Sequence, residues 1–190
     1  DVAEAFLRND SIENLIKITC KVLDCERCSL FLYDKMSDML ITQGAEGLGK
    51  EGIKVPKDKG IVGVVFTKKE KMKIDDAYSD YRFNMEIDKE TNYTTKNLLC
   101  FPLYDNMTSE VFGVLQAINK KTRHFNCDDE ELIKYFSKQA CALIKSRNTN
   151  NEALRKQERL QIIIRFMVNL FTLDDEVKFS KALNELLLKL

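Results

Sequence analysis

Asn119-Lys120, followed by Phe125 and then by Asp129-Glu130, stands where an apolar run ends and a helical pattern begins. Val111 to Asn119 reads as a strand. From Asp128 the residues Leu132, Ile133, Phe136, Ala140, Leu143 and Ile144 fall along one helical face, with acids in the first turn where the helix dipole favours them. Lys120 at the strand end can reach Asp129 near the helix start, and such a pair, partly shielded, ties sheet to helix. Phe125 is the expected apolar pin of the same corner.

Working outward, Asn97 to Tyr104 is a second apolar strand, joined to the first by the turn Asp105 to Glu110. Ile12, Leu15, Ile16, Thr19, Cys20 and Leu23 line one face of a helix over Ser11 to Leu23, with Ser11 as the expected N-cap. Cys28 to Tyr33 reads as a mostly buried strand, with Met39 to Gln43 as its hairpin partner. Four of the seven glycines fall between Gly44 and Gly52 and loosen the chain there, and Lys54 to Pro56 looks like a short edge segment. Periodicity alone leaves Gly60 to Thr67 open between strand and buried helix. Asp75 to Lys96 is polar and too long for an ordinary connection, the mark of a lid or binding loop. The order of elements is that of an α+β domain of roughly 145 residues.

Composition narrows the function. Thirty basic and thirty acidic side chains cancel, which removes the charge signature of a nucleic-acid binder. His124 is the only histidine, so a self-contained metallohydrolase is not expected, and no metal site is assigned. Six cysteines in a chain of this size fit a reduced, cytoplasmic protein better than a disulfide framework. Cys25-Glu26-Arg27-Cys28 has a C-x-x-C spacing, but it lacks both the second pair of a zinc ribbon and the strand-to-helix turn of a thiol redox site. Cys28 and Cys100 read as small buried apolar groups. The greasiest stretch, Leu160 to Phe171, is broken by Gln161, Arg165 and Asn169, so no membrane span is expected. The chain starts at Asp1 and ends on Leu186 to Leu190, and reads as part of a longer polypeptide.

The corner pattern resembles the Asn-Lys, Phe, Asp-Glu signature of the GAF domains in cyclic-nucleotide phosphodiesterases and some adenylyl cyclases. The resemblance extends to Arg27 through Leu32, Gly60-Ile61-Val62-Gly63, Asp76-Ala77-Tyr78 and Thr95 through Leu103, in the family's order over about residues 10 to 147. It implies a GAF-like antiparallel six-stranded sheet flanked by helices and followed by a long connecting helix, with residues 60–67 helical. It also implies three parts: a ligand-binding GAF domain over 1–147, a connecting helix over 148–173, and the start of a second GAF domain over 174–190. Leu160, Ile164, Met167 and Phe171 keep a 4, 3, 4 spacing that suits the seam of a homodimer through the connecting helix.

The resemblance carries a ligand as well: cAMP or cGMP, with no cofactor. The phosphate is expected at the helix N-terminus formed by Ile61 and Val62, where backbone N–H groups and the dipole favour an anion. Ser29 is expected beside the base, Gln116 under the purine edge, and Asp88, Thr91 and Thr95 in a lid over ribose and phosphate. Ala45 and Glu46 stand where the family often has Phe-Asp, so Ala45 withholds a common stacking ring. Gln116 replaces a frequent Glu and, as an amide, can pair with adenine or guanine by rotating. Asn119, Lys120, Phe125, Asp129 and Glu130 are expected to hold the pocket together and not to line it.

The function implied is a non-catalytic regulatory domain that controls a linked catalytic domain through its connecting helix, the parent being a cyclic-nucleotide phosphodiesterase or, as second choice, an adenylyl cyclase. The alternative is a ligand-free GAF dimerisation module, which Ala45 favours. A sulfoxide reductase working through pocket cysteines is the enzymatic alternative, opposed by the connector and the phosphodiesterase-like motifs.

Overall fold

The computed structural model describes residues 10–46, 53–105, 108–122 and 124–171. The chain divides into two compact units, 1–144 and 145–190. In the first, helix α1 (Asp10–Val22) leads into strands β1 (Cys25–Asp34), β2 (Met39–Glu46) and β3 (Lys54–Pro56). Helix α2 (Gly60–Lys68), strand β4 (Met72–Ile74) and the short helix α3 (Glu86–Thr91) follow. Strands β5 (Leu98–Tyr104) and β6 (Val111–Lys120) precede the long helix α4 (Cys127–Phe171). The six strands form one sheet in the order β3-β2-β1-β6-β5-β4, with every pairing antiparallel.

Strands β1, β6 and β5 are covered on both faces, which is why they read as nearly unbroken apolar runs. One face carries Leu30, Leu99, Leu103, Leu115 and Ala117 against the apolar stripe of α1 and against Ile133, Phe136, Ala140 and Ile144 of α4. The opposite face carries Phe31, Leu98, Cys100 and Val114 against Ile61, Val62 and Val65 of α2. Successive side chains alternate across a strand, so Ser29 and Gln116 share this second face.

The family-implied helix over residues 60–67 is present. Its period is hidden because Ile61, Val62, Gly63 and Val65 are buried and Val64 and Phe66 partly so, leaving no polar stripe. Gly60 opens the helix at φ +66°, a conformation that only glycine adopts without strain. Strand β4 was not expected from sequence, because three residues carry no periodicity. Ser11 is not the N-cap: α1 begins at Asp10, so Ser11 lies inside the first turn.

The corner at residues 119–130 has the expected tie. Lys120 Nζ lies 2.8 Å from Asp129 Oδ1, with both side chains nearly buried, and also donates to the Leu23 carbonyl at 2.8 Å. Asp129 and Asn126 bond reciprocally, each backbone N–H donating to the other's side-chain oxygen at 2.9 and 3.0 Å, which is a capping box at the start of α4. Phe125 is 2% exposed within the helix-side core. Glu130 accepts from Lys71 at 2.5 Å, which ties α4 to the segment before β4. Among the described residues no helix is long and apolar enough to cross a membrane.

Candidate functional site

On the α2 side of the sheet a cavity of about 650 Å³, its open mouth included, lies over β1 and β6 and against the start of α2 and one side of α3. The structure brings Ser29, Ile61, Val62, Asp88, Thr91, Thr95 and Gln116 together around it. The Ala45 and Glu46 side chains lie outside the described residues, although Ala45 is the backbone partner of Ser29 across β1 and β2. Asn119, Lys120, Phe125, Asp129 and Glu130 are not among the lining residues.

Strand geometry makes the floor. Ser29 and Gln116 are partners across β1 and β6, and Arg27 and Ile118 are partners one rung along. Ser29 and Gln116 are both buried, at 2% and 8% exposure, so their polar atoms are withheld from bulk water. Cys100 is the partner of Gln116 on the other side, and burial pushes its thiol up to about 12, against a smaller opposing effect of the Gln116 side chain. A thiol so placed is a poor nucleophile. Cys25 and Cys28 both lie on β1, and burial raises both thiols, as befits structural cysteines.

At the start of α2 the first intrahelical bond runs from Gly63 N–H to the Lys59 carbonyl, so the amides of Gly60, Ile61 and Val62 precede it. Lys59 makes no side-chain cap, and the first turn holds no acid. That helix end is electropositive by its dipole.

The far wall is organised by Asp88, which is 6% exposed. Its carboxylate accepts the Thr95 N–H at 2.7 Å, the Thr95 hydroxyl at 2.8 Å and the Tyr78 hydroxyl at 3.0 Å. Asp88 and Thr95 are thus engaged with each other inside the wall. Thr91 is exposed, and its hydroxyl donates to the Ile87 carbonyl at 2.7 Å.

Sequence reasoning passed over Arg27, Lys59 and Tyr93, which also line the cavity. For Arg27 a signal existed: it sits two residues before Ser29 on one strand, hence on the same face. The Arg27 guanidinium carbon lies 3.4 Å from the centre of the Tyr93 ring. The Tyr93 hydroxyl donates to Glu26 at 2.7 Å and accepts from the Asn119 amide at 2.9 Å, while that amide also reaches Glu26 at 3.0 Å. These bonds hold the Glu26 carboxyl below the usual carboxylate range, the Tyr93 hydroxyl contributing most, then Asn119. Burial, reinforced by Glu26, pushes the Tyr93 phenol up.

A depressed carboxylate stabilises the fold fully above its unfolded value, about pH 4.5, and loses that contribution as pH falls through the lower folded value. Glu26→Gln is therefore expected to lower the melting temperature at pH 7, with the gap to the parent protein narrowing as pH falls below about 4.5, as read by thermal melts across the acid range. A gap that stays constant throughout the acid limb would show that the Glu26 charge contributes nothing.

Comparison with known proteins agrees with this architecture. Residues 8–144 match the GAF domain family. Over 135 residues the chain is 38% identical to the dual 3′,5′-cyclic-AMP and -GMP phosphodiesterase 11A of Takifugu rubripes, covering 64% of this chain and 15% of that protein. It is 34% identical over 129 residues to the probable 3′,5′-cyclic phosphodiesterase pde-5 of Caenorhabditis elegans, covering 62% of this chain and 17% of that protein. The chain thus spans about a sixth of the length of these curated relatives. In fold it is similar to the GAF domain of an Acinetobacter phosphoenolpyruvate-protein phosphotransferase, with TM-score 0.64 and 20% identity over 76% of this chain and 85% of the other. Signature corner, six-stranded sheet and matched span together place the chain in the GAF domain family, as a relative of the GAF regions of cyclic-nucleotide phosphodiesterases.

Proposed function

We propose that the cavity binds a 3′,5′-cyclic nucleotide, cAMP or cGMP, and that the domain is a non-catalytic regulator of a catalytic domain on the same polypeptide. The observation that carries this reading is a single cavity in which an electropositive helix start, apolar walls and a short row of buried polar groups converge. A cyclic nucleotide presents one negative charge, a flat apolar-faced base and a base edge of donors and acceptors. The α2 amides with Lys59 suit the charge; Phe31, Ile53, Val55, Phe83 and Ile118 suit the base; Ser29 and Gln116 suit its edge. The Asp88, Thr91 and Thr95 side is left for the ribose.

The two phosphodiesterase relatives support a cyclic-nucleotide phosphodiesterase as the parent, with residues 148–173 as connector and 174–190 opening a second GAF domain. Residues 174–190 lie outside the described residues. A cytoplasmic setting follows from the same reading. Isothermal titration with cAMP and with cGMP tests the proposal. A single site per chain with Kd below roughly 100 µM, about −5.5 kcal/mol, is expected for at least one nucleotide. Absence of heat and of competition at millimolar nucleotide would leave the domain as a ligand-free dimerisation module.

The partner proposed for the connector is a second copy of this chain. Leu154, Leu160, Ile162 and Ile163 of α4 are exposed, and the 4, 3, 4 seam adds Ile164, Met167 and Phe171, whose side chains lie outside the described residues. Apolar side chains repeating on one helix are commonly covered by a partner helix. Sedimentation at tens of micromolar is expected to give a dimer that Ile164→Glu with Met167→Glu dissociates. A monomer before and after the substitutions would remove the seam from the account.

A further inference from the structure

We propose that a second cavity, on the α4 side of the sheet, binds a compact organic anion, a carboxylate carried on a flat aromatic body. The inference is independent of the cyclic-nucleotide reading, which concerns the opposite face.

The cavity arises from how the sheet ends. Edge strand β4 covers only the first three residues of β5, with Ile74 paired to Leu98, Lys73 to Leu99 and Met72 to Cys100. Among the described residues, Phe101, Pro102 and Leu103 therefore have no strand outside them. Between that bare stretch and the Lys134 to Cys141 stretch of α4 lies a hollow of about 510 Å³, its open mouth included. A hollow of that size suits a small ligand. An extended peptide is a poor occupant, because Pro102 offers no N–H to a further strand.

The lining divides by chemistry. Pro102 and Cys141 are buried and Phe101 half-buried, which makes an apolar floor. The register of β5 shifts between Leu103 and Tyr104, and such a shift re-aims the side chain that follows it. The Tyr104 ring joins the lining, anchored by its hydroxyl, which donates to the Lys69 carbonyl. Two aromatic walls favour a flat body between them. Ser137 is 2% exposed and its hydroxyl donates to the Ile133 carbonyl at 2.7 Å, so its proton is already taken.

Charge is confined to the rim. Lys134 and Lys138 stand there one turn apart on the same helix face. Lys134 is paired with Glu131, an exposed residue of its own helix, at 3.0 Å, and Lys138 forms no ion pair among the described residues. No acid is among the described residues that line the hollow. Two ammonium groups above an apolar floor fit a molecule with its charge at one end and an apolar body at the other. A neutral aromatic leaves the lysines unused, and a bare small anion leaves the floor wet.

The test titrates naphthoate into the isotopically labelled chain, followed by backbone amide NMR, with naphthamide as the neutral control and acetate as the control without a body. Saturable shift changes are expected at Phe101, Tyr104, Ser137 and Lys138, with naphthamide weaker by roughly tenfold and acetate not saturating. Lys138→Glu is expected to bring naphthoate down to the affinity of naphthamide, and Lys138→Arg to retain it. Lys138 is exposed, so both variants are expected to melt as the parent does. Equal affinity for acid and amide, or a Lys138→Glu protein that binds naphthoate as well as the parent, would overturn the anion site. Shift changes at Ile61, Val62 and Gln116 would assign naphthoate to the other cavity and overturn it equally, as would the lack of any saturable change. None of these results bears on cyclic-nucleotide binding.

Discussion

Lys120→Ala is expected to lower the melting temperature by roughly 10 °C and to abolish nucleotide binding with it. The ammonium and the Asp129 carboxylate are both nearly buried, at 11% and 5% side-chain exposure. Removing one member of a buried pair leaves the other charged and uncompensated, at a cost of about 3 to 5 kcal/mol. The Leu23 carbonyl, which closes α1 against the sheet, loses its donor in the same step. Melting temperatures of a domain of this size move by about 2 to 8 °C per kcal/mol, so the shift is readily measured. The double variant Lys120→Met, Asp129→Leu removes both charges and is expected to recover part of the loss. It does not recover all of it, because Asp129 also accepts the Asn126 N–H in the capping box. A Lys120→Ala protein of undiminished stability that still loses ligand would make Lys120 a contact and contradict its assignment to the scaffold.

Asp88→Ala is expected to abolish binding by a different route, with the sheet left standing. Its carboxylate receives three donors, and without it the buried Thr95 N–H and hydroxyl have no acceptor, at about 1 to 3 kcal/mol each. Those groups lie on one wall of the cavity, so the loss is local. Hydrogen exchange separates local from global effects: protection is expected to fall at Thr95 and Tyr93 while Leu115 and Ala117 in β6 keep theirs. Uniform loss across β6 would mean that Asp88 supports the whole fold. Asp88→Asn is expected to fall between, because one amide oxygen can still accept but the NH2 group faces donors. Thr95→Ala acts on the same knot, so its effect on binding is expected to pass through Asp88.

What was legible in the sequence follows from where the side chains end up. The stripe Ile12, Ile16, Cys20 of α1 was readable because one face is buried and the other wet. The run at Gly60 was ambiguous because α2 is apolar on nearly every side, and only resemblance made it a helix. Strand β4 escaped notice because three residues give no period, and α3 because its six residues lie inside a long polar stretch. Among the candidate site residues, Ser29 and Gln116 on strands and Ile61 and Val62 at the helix start were found by position in the family pattern and meet around one cavity. Arg27 was legible from its place two residues before Ser29, whereas its contact with Tyr93 joins residues 66 positions apart, a pairing that no local pattern encodes.

The central claim is that a cyclic nucleotide sits in the cavity between β1, β6, α2 and α3. Its most direct test is a backbone amide NMR titration of the assigned chain with cAMP and cGMP. The account predicts that the largest shift changes fall at Ile61 and Val62, whose amides open α2, and at Thr95 and Gln116, with α1 and the signature corner at Lys120 and Asp129 little affected. Shift changes concentrated on α1 or α4, or none at millimolar nucleotide, would contradict it.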